Sequence, residues 1–347
     1  MSALAATSDL SSKSIADFET GRAVPTEETW GRLAAALDVK PAYFQMPPLP
    51  DLELANVSFR ARARMPARVR NQGLSSARHA LEVKRWIDRS FDVPAPDVPT
   101  LEAYADRAGA AEAAMVTRAR WGLGVAPLGN IVHLLELHGV GVFSLPRGID
   151  HLDAFATWLD GRPMVFLSTS SSGERQRFDA SHELGHLVLH GLGRPELGAG
   201  SEAEANSFAS ALLMPEDDVR ACVPRGATSN VIKVAKRRWS VSAMALAYRL
   251  HDLDLLTDWE YHRACVDLAR EGYRSSEPGG IPRESSRLLR YVFGHLTKSA
   301  DGVERLLGDL AMTRADLNEL VFGLVPTTVE SAPDGSPRRR GHLRAVP

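Results

Sequence analysis

Residues 177–191, RFDASHELGHLVLHG, place His182 and His186 four positions apart, with Glu183 directly after the first histidine. Side chains four apart on a helix lie on the same face, so both imidazoles could reach one metal ion. Glu183 is one residue further along the helix, so its side chain projects in a different direction from the two imidazoles. It is close enough to accept a proton from a water molecule beside the ion but poorly placed to bind the ion itself. The alternative is that both histidines are simply hydrogen-bonded within an amphipathic helix.

The flanking residues predict that this stretch is helical. Ser171 is followed three residues later by Glu174, a capping-box pattern, and Gly191 stands where a helix end accepts a positive φ. We therefore predict one helix over residues 172–190.

A catalytic zinc site needs a third protein ligand and an open fourth position. A metzincin would carry a third histidine at position 192, which is leucine here. His190 falls at the next helical step, but histidines at i, i+4 and i+8 span about 12 Å of helix axis, too far for one ion. We expect His190 to orient a ligand histidine or to lie at the helix end.

The stretch GSEAEANSFASALLMPEDDV predicts a second helix that can supply the missing ligand. Its apolar residues have helical spacing, and Pro215 ends it. Glu202 and Asn206 are four apart, the spacing at which a gluzincin presents its glutamate ligand and a residue that orients a ligand histidine. We predict Glu202 as the third ligand, Asn206 as the orienting residue, and Glu204 as a solvated residue of the helix start.

Around these helices the pattern is α/β. We predict a helix over residues 128–138, a strand over 139–145, and a hairpin formed by AFATWL and MVFLS around the turn sequence DGRP. An edge of this 154–168 hairpin could hold an extended substrate. Tyr248, His251 and His262 are candidates for stabilising the oxyanion that would form when water attacks the carbonyl group of such a substrate.

Composition limits the remaining choices. At 347 residues the chain is long enough for two or three domains, and its net charge of -2 gives no overall attraction to nucleic acid or membrane. Two cysteines, Cys222 and Cys265, form no disulfide framework or metal-binding pattern. No signal peptide or membrane-spanning run is evident, so we predict a cytoplasmic protein.

Three segments together resemble the ImmA/IrrE family of zinc metallopeptidases: RWGLGVAPLGNIVHLLELHGVGVFSL, DAFATWLDGRPMVFLSTSSSGERQRFDASHELGHLVLHG and EAEANSFASALLMP. The resemblance covers about residues 118–260. It implies a gluzincin-like fold, a Zn²⁺ ion on His182, His186 and Glu202, and Glu183 as general base, with Mn²⁺ a possible substitute in assays. Family members cleave helix-turn-helix repressors. Related fusions act instead as transcription factors in which the peptidase-like domain is a sensor.

The segment SIADFETGRAVPTEETWGRLAAALDV resembles the XRE-type helix-turn-helix of phage repressors. In that fold one helix enters the major groove of DNA. The resemblance implies that Thr20 and Arg22 lie near phosphate. It also implies that four residues contact bases: Ser12, Lys13, Ser14 and Asp17. The family's first helix would precede Ala3, which predicts either a truncated module or one whose DNA binding has decayed. A helical interaction module is the alternative.

We therefore expect an α+β, mostly helical chain, with a small β-sheet and an active-site helix in the peptidase domain. The predicted regions are a helix-turn-helix (1–46), a linker with connecting helices (47–110), the peptidase domain (111–262), a C-terminal helical region (263–330) and a disordered basic tail (331–347).

The arginine-rich FRARARMPARVR predicts either a solvated face or a phosphate-contacting stripe. Residues 231–256 predict a helical hairpin on the core, which we favour, or a second helix-turn-helix. The helices of residues 284–325 could form a homodimer, and SSEPGGIPRESS predicts a linker at 275–286.

Overall fold

The computed structural model describes residues 2–49, 57–59, 66–146, 152–191 and 199–325. The predicted basic tail, and Arg60, Arg62 and Arg64 of the arginine-rich stretch, lie outside these ranges.

Within the described ranges the chain is α+β and mostly helical, as predicted. The α-helices in chain order are α1 (Ser2–Ser8), α2 (Ser12–Glu19), α3 (Glu27–Leu37), α4 (Ala67–Ser90), α5 (Arg107–Arg120), α6 (Ile131–Leu137), α7 (Gly173–Leu189), α8 (Ala199–Leu213), α9 (Glu216–Cys222), α10 (Ser229–Trp239), α11 (Ala243–Asp252), α12 (Asp258–Arg270), α13 (Arg287–Leu296), α14 (Gly302–Asp309) and α15 (Arg314–Leu320). The strands are β1 (Val57–Phe59), β2 (Gly141–Ser144), β3 (Ala154–Leu159) and β4 (Arg162–Leu167).

The described residues divide into two compact units. One unit combines residues 2–49 with residues 291–325, and the other spans residues 57–290. In the first unit the Lys40 ammonium donates to the carbonyl of Leu307 at 3.0 Å, so segments far apart in sequence share this unit. The predicted peptidase residues all lie in the second unit.

The four strands form one sheet in the order β1-β3-β4-β2. β2 is parallel to β4, whereas β3 is antiparallel to β4 and to β1. In the β3–β4 hairpin, Leu159 pairs with Arg162 across Asp160 and Gly161. These two turn residues have φ values of 52° and 69°, as a type I′ turn requires. The predicted hairpin is confirmed.

β1 overturns the prediction that an edge of this hairpin is open to substrate. Val57 pairs with Thr157 and Phe59 with Phe155, while β4 pairs with β2 on its other side. Both hairpin strands are therefore inner strands of the sheet that the described residues form. The sequence did not predict the pairing of β1 with β3, because β1 is a three-residue strand beside an arginine-rich run.

α7 is the central helix of the second unit. It packs against β3 and β4 of the sheet and against α5, α6 and α8. All of its residues except Arg175 and Phe178 are buried. Side chains on α7 are therefore largely shielded from bulk water.

Two helices, α4 and α5, precede α6 in the second unit. α4 begins at Ala67, directly after Pro66, and its early turns bury Val69 and Leu74. α5 begins after Asp106, whose carboxylate accepts from the amide of Gly109 at 2.8 Å. In both cases a proline or a capping side chain sets the helix start.

Residues 277–288, here called the strap, include most of the segment 275–286 that was predicted as a linker, and they bind to the second unit. The Glu284 carboxylate accepts from the amides of Ile131 and Val132 at 2.7 and 3.2 Å, at the N-terminus of α6. Its other oxygen lies 2.8 Å from the buried Arg177 guanidinium of α7. A carboxylate at a helix N-terminus is stabilised by the exposed amides and by the helix dipole.

A second set of contacts fixes the ends of the strap. The Glu277 carboxylate lies 2.8 Å from the ammonium of Lys236 on α10, and both side chains are 5% exposed. Glu136 on α6 accepts from the amides of Arg287 and Leu288 at 3.0 Å, where α13 begins. Buried charges need partners, so these pairs hold the strap in place. The predicted linker has no helix or strand over residues 275–286, but it is packed on the second unit by these contacts.

The close approach of the strap to α7 leads to a stability prediction. A Cβ atom added at Gly173 would lie 2.4 Å from the carbonyl oxygen of Ile281 and 2.7 Å from that of Pro282. We expect Gly173→Ala to lower the free energy of unfolding by about 1–3 kcal/mol, because backbone atoms must move to admit the methyl group. Urea denaturation measures this change.

The matched control is Gly31→Ala on α3, where a Cβ would meet nothing within 4 Å. This control should be neutral or stabilising by about 0.5–1 kcal/mol. Equal unfolding free energies for the two variants would contradict the prediction.

Candidate metal centre and active site

The start of α7 differs by one residue from the predicted capping box. Ser172, not Ser171, is the N-cap, and its hydroxyl accepts from the amide of Arg175 at 3.2 Å. Glu174 accepts instead from the amide of Ile281 in the strap at 2.9 Å. Gly191 follows the helix with a φ of 49°, as predicted. The helix itself, Gly173–Leu189, is confirmed within one residue at each end.

A glycine within the histidine motif allows α8 to approach α7. A Cβ atom at Gly185 would lie 3.2 Å from the Cα of Ala205 and 3.1 Å from the ring of Phe208. Such distances are tighter than ordinary van der Waals contact, so a larger residue would push the helices apart. α8 carries Glu202 in its first turn, and the close packing brings that turn to the histidines.

His182, His186 and Glu202 form a cluster that could hold a metal ion. Their candidate ligand atoms all lie within 4.8 Å of one another. The two Nε2 atoms of the histidines are 3.1 Å apart. Each Nε2 lies 3.4 Å from one oxygen of the Glu202 carboxylate. The structure therefore brings together the three residues that were predicted as ligands.

These separations fit zinc. Ligand atoms about 2.0–2.1 Å from a zinc ion at tetrahedral angles lie about 3.4 Å from one another. Two imidazole nitrogens and one carboxylate oxygen are also a common donor set of catalytic zinc sites, which leave the fourth position open. The imidazoles are buried, whereas the Glu202 side chain is 28% exposed, so the site is accessible from its carboxylate side.

The charge of the cluster is balanced by Glu202. Burial acts to raise the pKa of this carboxyl group, but hydrogen bonds and charge interactions with His182 and His186 outweigh it. Together they hold the pKa well below its ordinary value. The carboxyl group is thus ionised at neutral pH, which is the form that binds a cation.

Asn206 was predicted to orient a histidine of the cluster, and it contacts His182. Its Oδ1 lies 3.0 Å from Nδ1 of His182. An amide oxygen only accepts hydrogen bonds, so Nδ1 of His182 donates to Asn206, and Nε2 is the atom of this ring that would bind a metal.

His190 likewise lies behind His186, with the two Nδ1 atoms 2.9 Å apart. The Nε2 atom of His190 is 2.7 Å from the carboxylate of Glu204. Glu204 was predicted as a solvated residue, but its side chain is only 15% exposed and pairs with a buried imidazole. That prediction is wrong. A signal was available, because a buried imidazole needs a partner for each nitrogen and His190 continues the histidine face of α7.

Glu183 follows His182 on the same turn of α7 and is fully buried, at 0% exposure. It is not a member of the three-residue cluster. The role of Glu183 as general base stays a prediction.

α10 and α11 pack on the core of the second unit next to α8. Trp239, Leu246 and Leu250 are buried in one cluster with Leu213 and Met214. This packing agrees with the favoured interpretation of residues 231–256 as a helical hairpin. Val234, on the outer side of α10, is 71% exposed.

The basic residues of α10 are engaged within the same unit. Lys233 lies 2.6 Å from Glu271, and Arg238 lies 2.7 Å from Asp218. Lys236 is buried against the strap. Of the four basic side chains on this helix, three are therefore paired with carboxylates and do not form a free phosphate-binding stripe.

Of the residues considered for oxyanion stabilisation, His251 is engaged on the α11–α12 corner. Its Nε2 lies 2.7 Å from the Asp258 carboxylate, and its ring stacks on Tyr261 with centroids 4.6 Å apart. His262 is exposed on α12, and Tyr248 is 42% exposed on α11. No assignment of an oxyanion-stabilising side chain follows from these positions.

The residues predicted to contact DNA lie on or just after α2. Ser12, Lys13 and Arg22 are exposed, and Ser14 and Asp17 are half-buried. The Asp17 carboxylate lies 3.8 Å from the guanidinium of Arg22. DNA contact by these residues stays a prediction.

Comparison with known proteins shows which family model matches the segment that carries His182, His186 and Glu202. Residues 135–251 match the model of the peptidase M78 family, described as the IrrE N-terminal-like domain. A search of curated proteins gave no match. In the part of the chain that the structure describes, no helix is both long and apolar enough to cross a bilayer. Residues 135–251 are thus an IrrE N-terminal-like domain of the M78 peptidase family, with a His182–His186–Glu202 cluster that could bind a metal.

Proposed function

We propose that this protein is a zinc-dependent endopeptidase. The observation that carries the proposal is the cluster of ligand atoms from His182, His186 and Glu202: the two Nε2 atoms are 3.1 Å apart, and each lies 3.4 Å from a different oxygen of the carboxylate. This cluster lies in a domain of a peptidase family, and Glu183 is next in sequence to one of the proposed ligands.

Each residue of the site has a distinct role in the proposed reaction. When bound, a zinc ion supplies Lewis acidity that polarises a peptide carbonyl and makes water a better nucleophile at neutral pH. Glu183 removes a proton from the attacking water as the new C–O bond forms. It then delivers that proton to the amine as the C–N bond breaks. Glu202 balances cationic charge, and Asn206 fixes the orientation of His182.

We further propose that the substrate is a helix-turn-helix repressor. Support comes from the resemblance of residues 118–260 to the ImmA/IrrE peptidases. The competing hypothesis, a DNA-binding regulator with a peptidase-like sensor, depends on the N-terminal module. Residues 1–46 contain four basic side chains, at positions 13, 22, 32 and 40, and six acidic ones, at positions 9, 17, 19, 27, 28 and 38. An excess of acidic residues does not favour phosphate binding.

Metal removal and restoration test the proposal. Protein stripped with a chelator is expected to bind one zinc ion per chain and to cleave the repressor encoded beside its gene only after zinc or manganese is restored. Elemental analysis measures the metal, and mass spectrometry locates the cut bond. Cleavage that continues in excess chelator, or a purified protein that takes up no zinc, would exclude a metallopeptidase.

A further inference from the structure

We propose that His190 and Glu204 are positioning residues that hold His186 in the tautomer and orientation needed to bind the metal. The inference rests on the proposed metal site. It adds a relay of two side chains behind one ligand, in which an imidazole connects the ligand to a buried carboxylate.

The proton positions follow from the contacts. The Nδ1 atoms of His186 and His190 are 2.9 Å apart, so one of them donates and the other accepts. If Nε2 of His186 presents its lone pair to a metal, the proton of that ring is on Nδ1 and His186 is the donor. The Nδ1 atom of His190 is then the acceptor, and the proton of His190 is on Nε2.

Glu204 completes this arrangement. Its carboxylate oxygen lies 2.7 Å from Nε2 of His190 and can only accept. It therefore selects the tautomer of His190 that leaves Nδ1 free to accept from His186. Without Glu204, His190 could adopt the opposite tautomer, which would place two N–H groups against each other at the contact with His186.

Burial makes the relay effective. His186 is 3% exposed and His190 is 4% exposed, so water cannot readily replace either hydrogen bond. In such surroundings hydrogen bonds to an ionised group are stronger than in water, and each polarises the next. The two ligand histidines are thus held differently. His182 is held by the neutral amide of Asn206, and His186 by a carboxylate acting through a second imidazole.

The test measures zinc affinity and ligand geometry instead of activity. Zinc dissociation constants are obtained by competition with a chromophoric chelator, and cobalt-substituted protein gives a visible absorption spectrum that reports the ligand field. We expect His190→Ala and Glu204→Ala each to weaken zinc binding by about 10–100-fold and to alter the cobalt spectrum. Glu204→Gln should recover part of the lost affinity, because its amide oxygen can accept from His190 although the charge is gone.

A matched control removes a glutamate outside the site. Glu216 on α9 has a side chain that is 51% exposed and pairs with Arg220, so Glu216→Ala should leave zinc affinity and the cobalt spectrum unchanged. Glu204→Gln keeps the shape of the side chain and guards against misfolding of the alanine variants. Unchanged zinc affinity in folded Glu204→Ala and His190→Ala would overturn the relay while leaving the metal site intact. Failure of the unmodified protein to bind zinc would overturn both proposals.

Discussion

Glu183→Gln is expected to lower kcat/KM for repressor cleavage by about 10²–10⁴-fold, the contribution typical of a general acid–base residue. Glutamine preserves the size of the side chain and can still accept a hydrogen bond, but it cannot take a proton from the attacking water. Because Glu183 is not one of the three clustered ligand residues, the variant should still bind one zinc ion per chain. Initial rates of cleavage and elemental analysis of the same preparation measure both quantities.

The control for this substitution is Glu216→Gln, at an exposed position on α9. Its cleavage rate should equal that of the unmodified protein. A Glu183→Gln variant that is loaded with zinc and cleaves at the full rate would remove Glu183 from the mechanism. A variant that has lost its zinc would show instead that Glu183 supports the metal site.

Arg118→Met is expected to lower the free energy of unfolding by roughly 3–5 kcal/mol, because three backbone carbonyls would lose their donor in a buried environment. The Arg118 side chain is fully buried on α5 and donates to Gly124, Ala126 and Leu212. Burial lowers the pKa of the guanidinium, yet an arginine remains charged in proteins. The side chain connects α5 and the following loop to the end of α8, the helix that carries Glu202.

Arg120→Met is the matched control, two residues along the same helix. Arg120 lies 2.6 Å from Asp97, but the side chains are 55% and 42% exposed, and exposed ion pairs contribute at most about 1 kcal/mol. Chemical denaturation of both variants gives the comparison. A loss for Arg118→Met no larger than that for Arg120→Met would show that water or backbone movement satisfies the three carbonyls.

The metal ligands could be predicted from the sequence because their geometry is local. Helical spacing alone places His182 beside His186, and the spacing of Glu202 and Asn206 on the next helix points both side chains toward that pair. The Asp160-Gly161 hairpin was predictable for the same reason, since the turn depends on the φ angles of two adjacent residues.

Features that depend on contacts between distant segments were missed. Glu204 lies two residues from Glu202, and helical spacing alone does not show that it reaches His190; the crossing of α7 and α8 brings the two side chains together. The strap contains the glycines and prolines of a linker, yet its carboxylates meet partners such as Ile131 and Arg177 more than 100 residues away in sequence. Helical periodicity and turn composition carry no information about such pairings.

The strap has a practical consequence for anyone who trims this protein to its recognisable peptidase segment. A fragment of residues 135–251 would keep Arg177 and Lys236 but discard Glu284 and Glu277, the carboxylates that lie 2.8 Å from these two buried cations. It would also lack α5 and the Arg118 guanidinium that fastens the end of α8. The smallest fragment that preserves these interactions begins before α5 and ends after residue 288, about one and a half times the length of the segment that the family model matches.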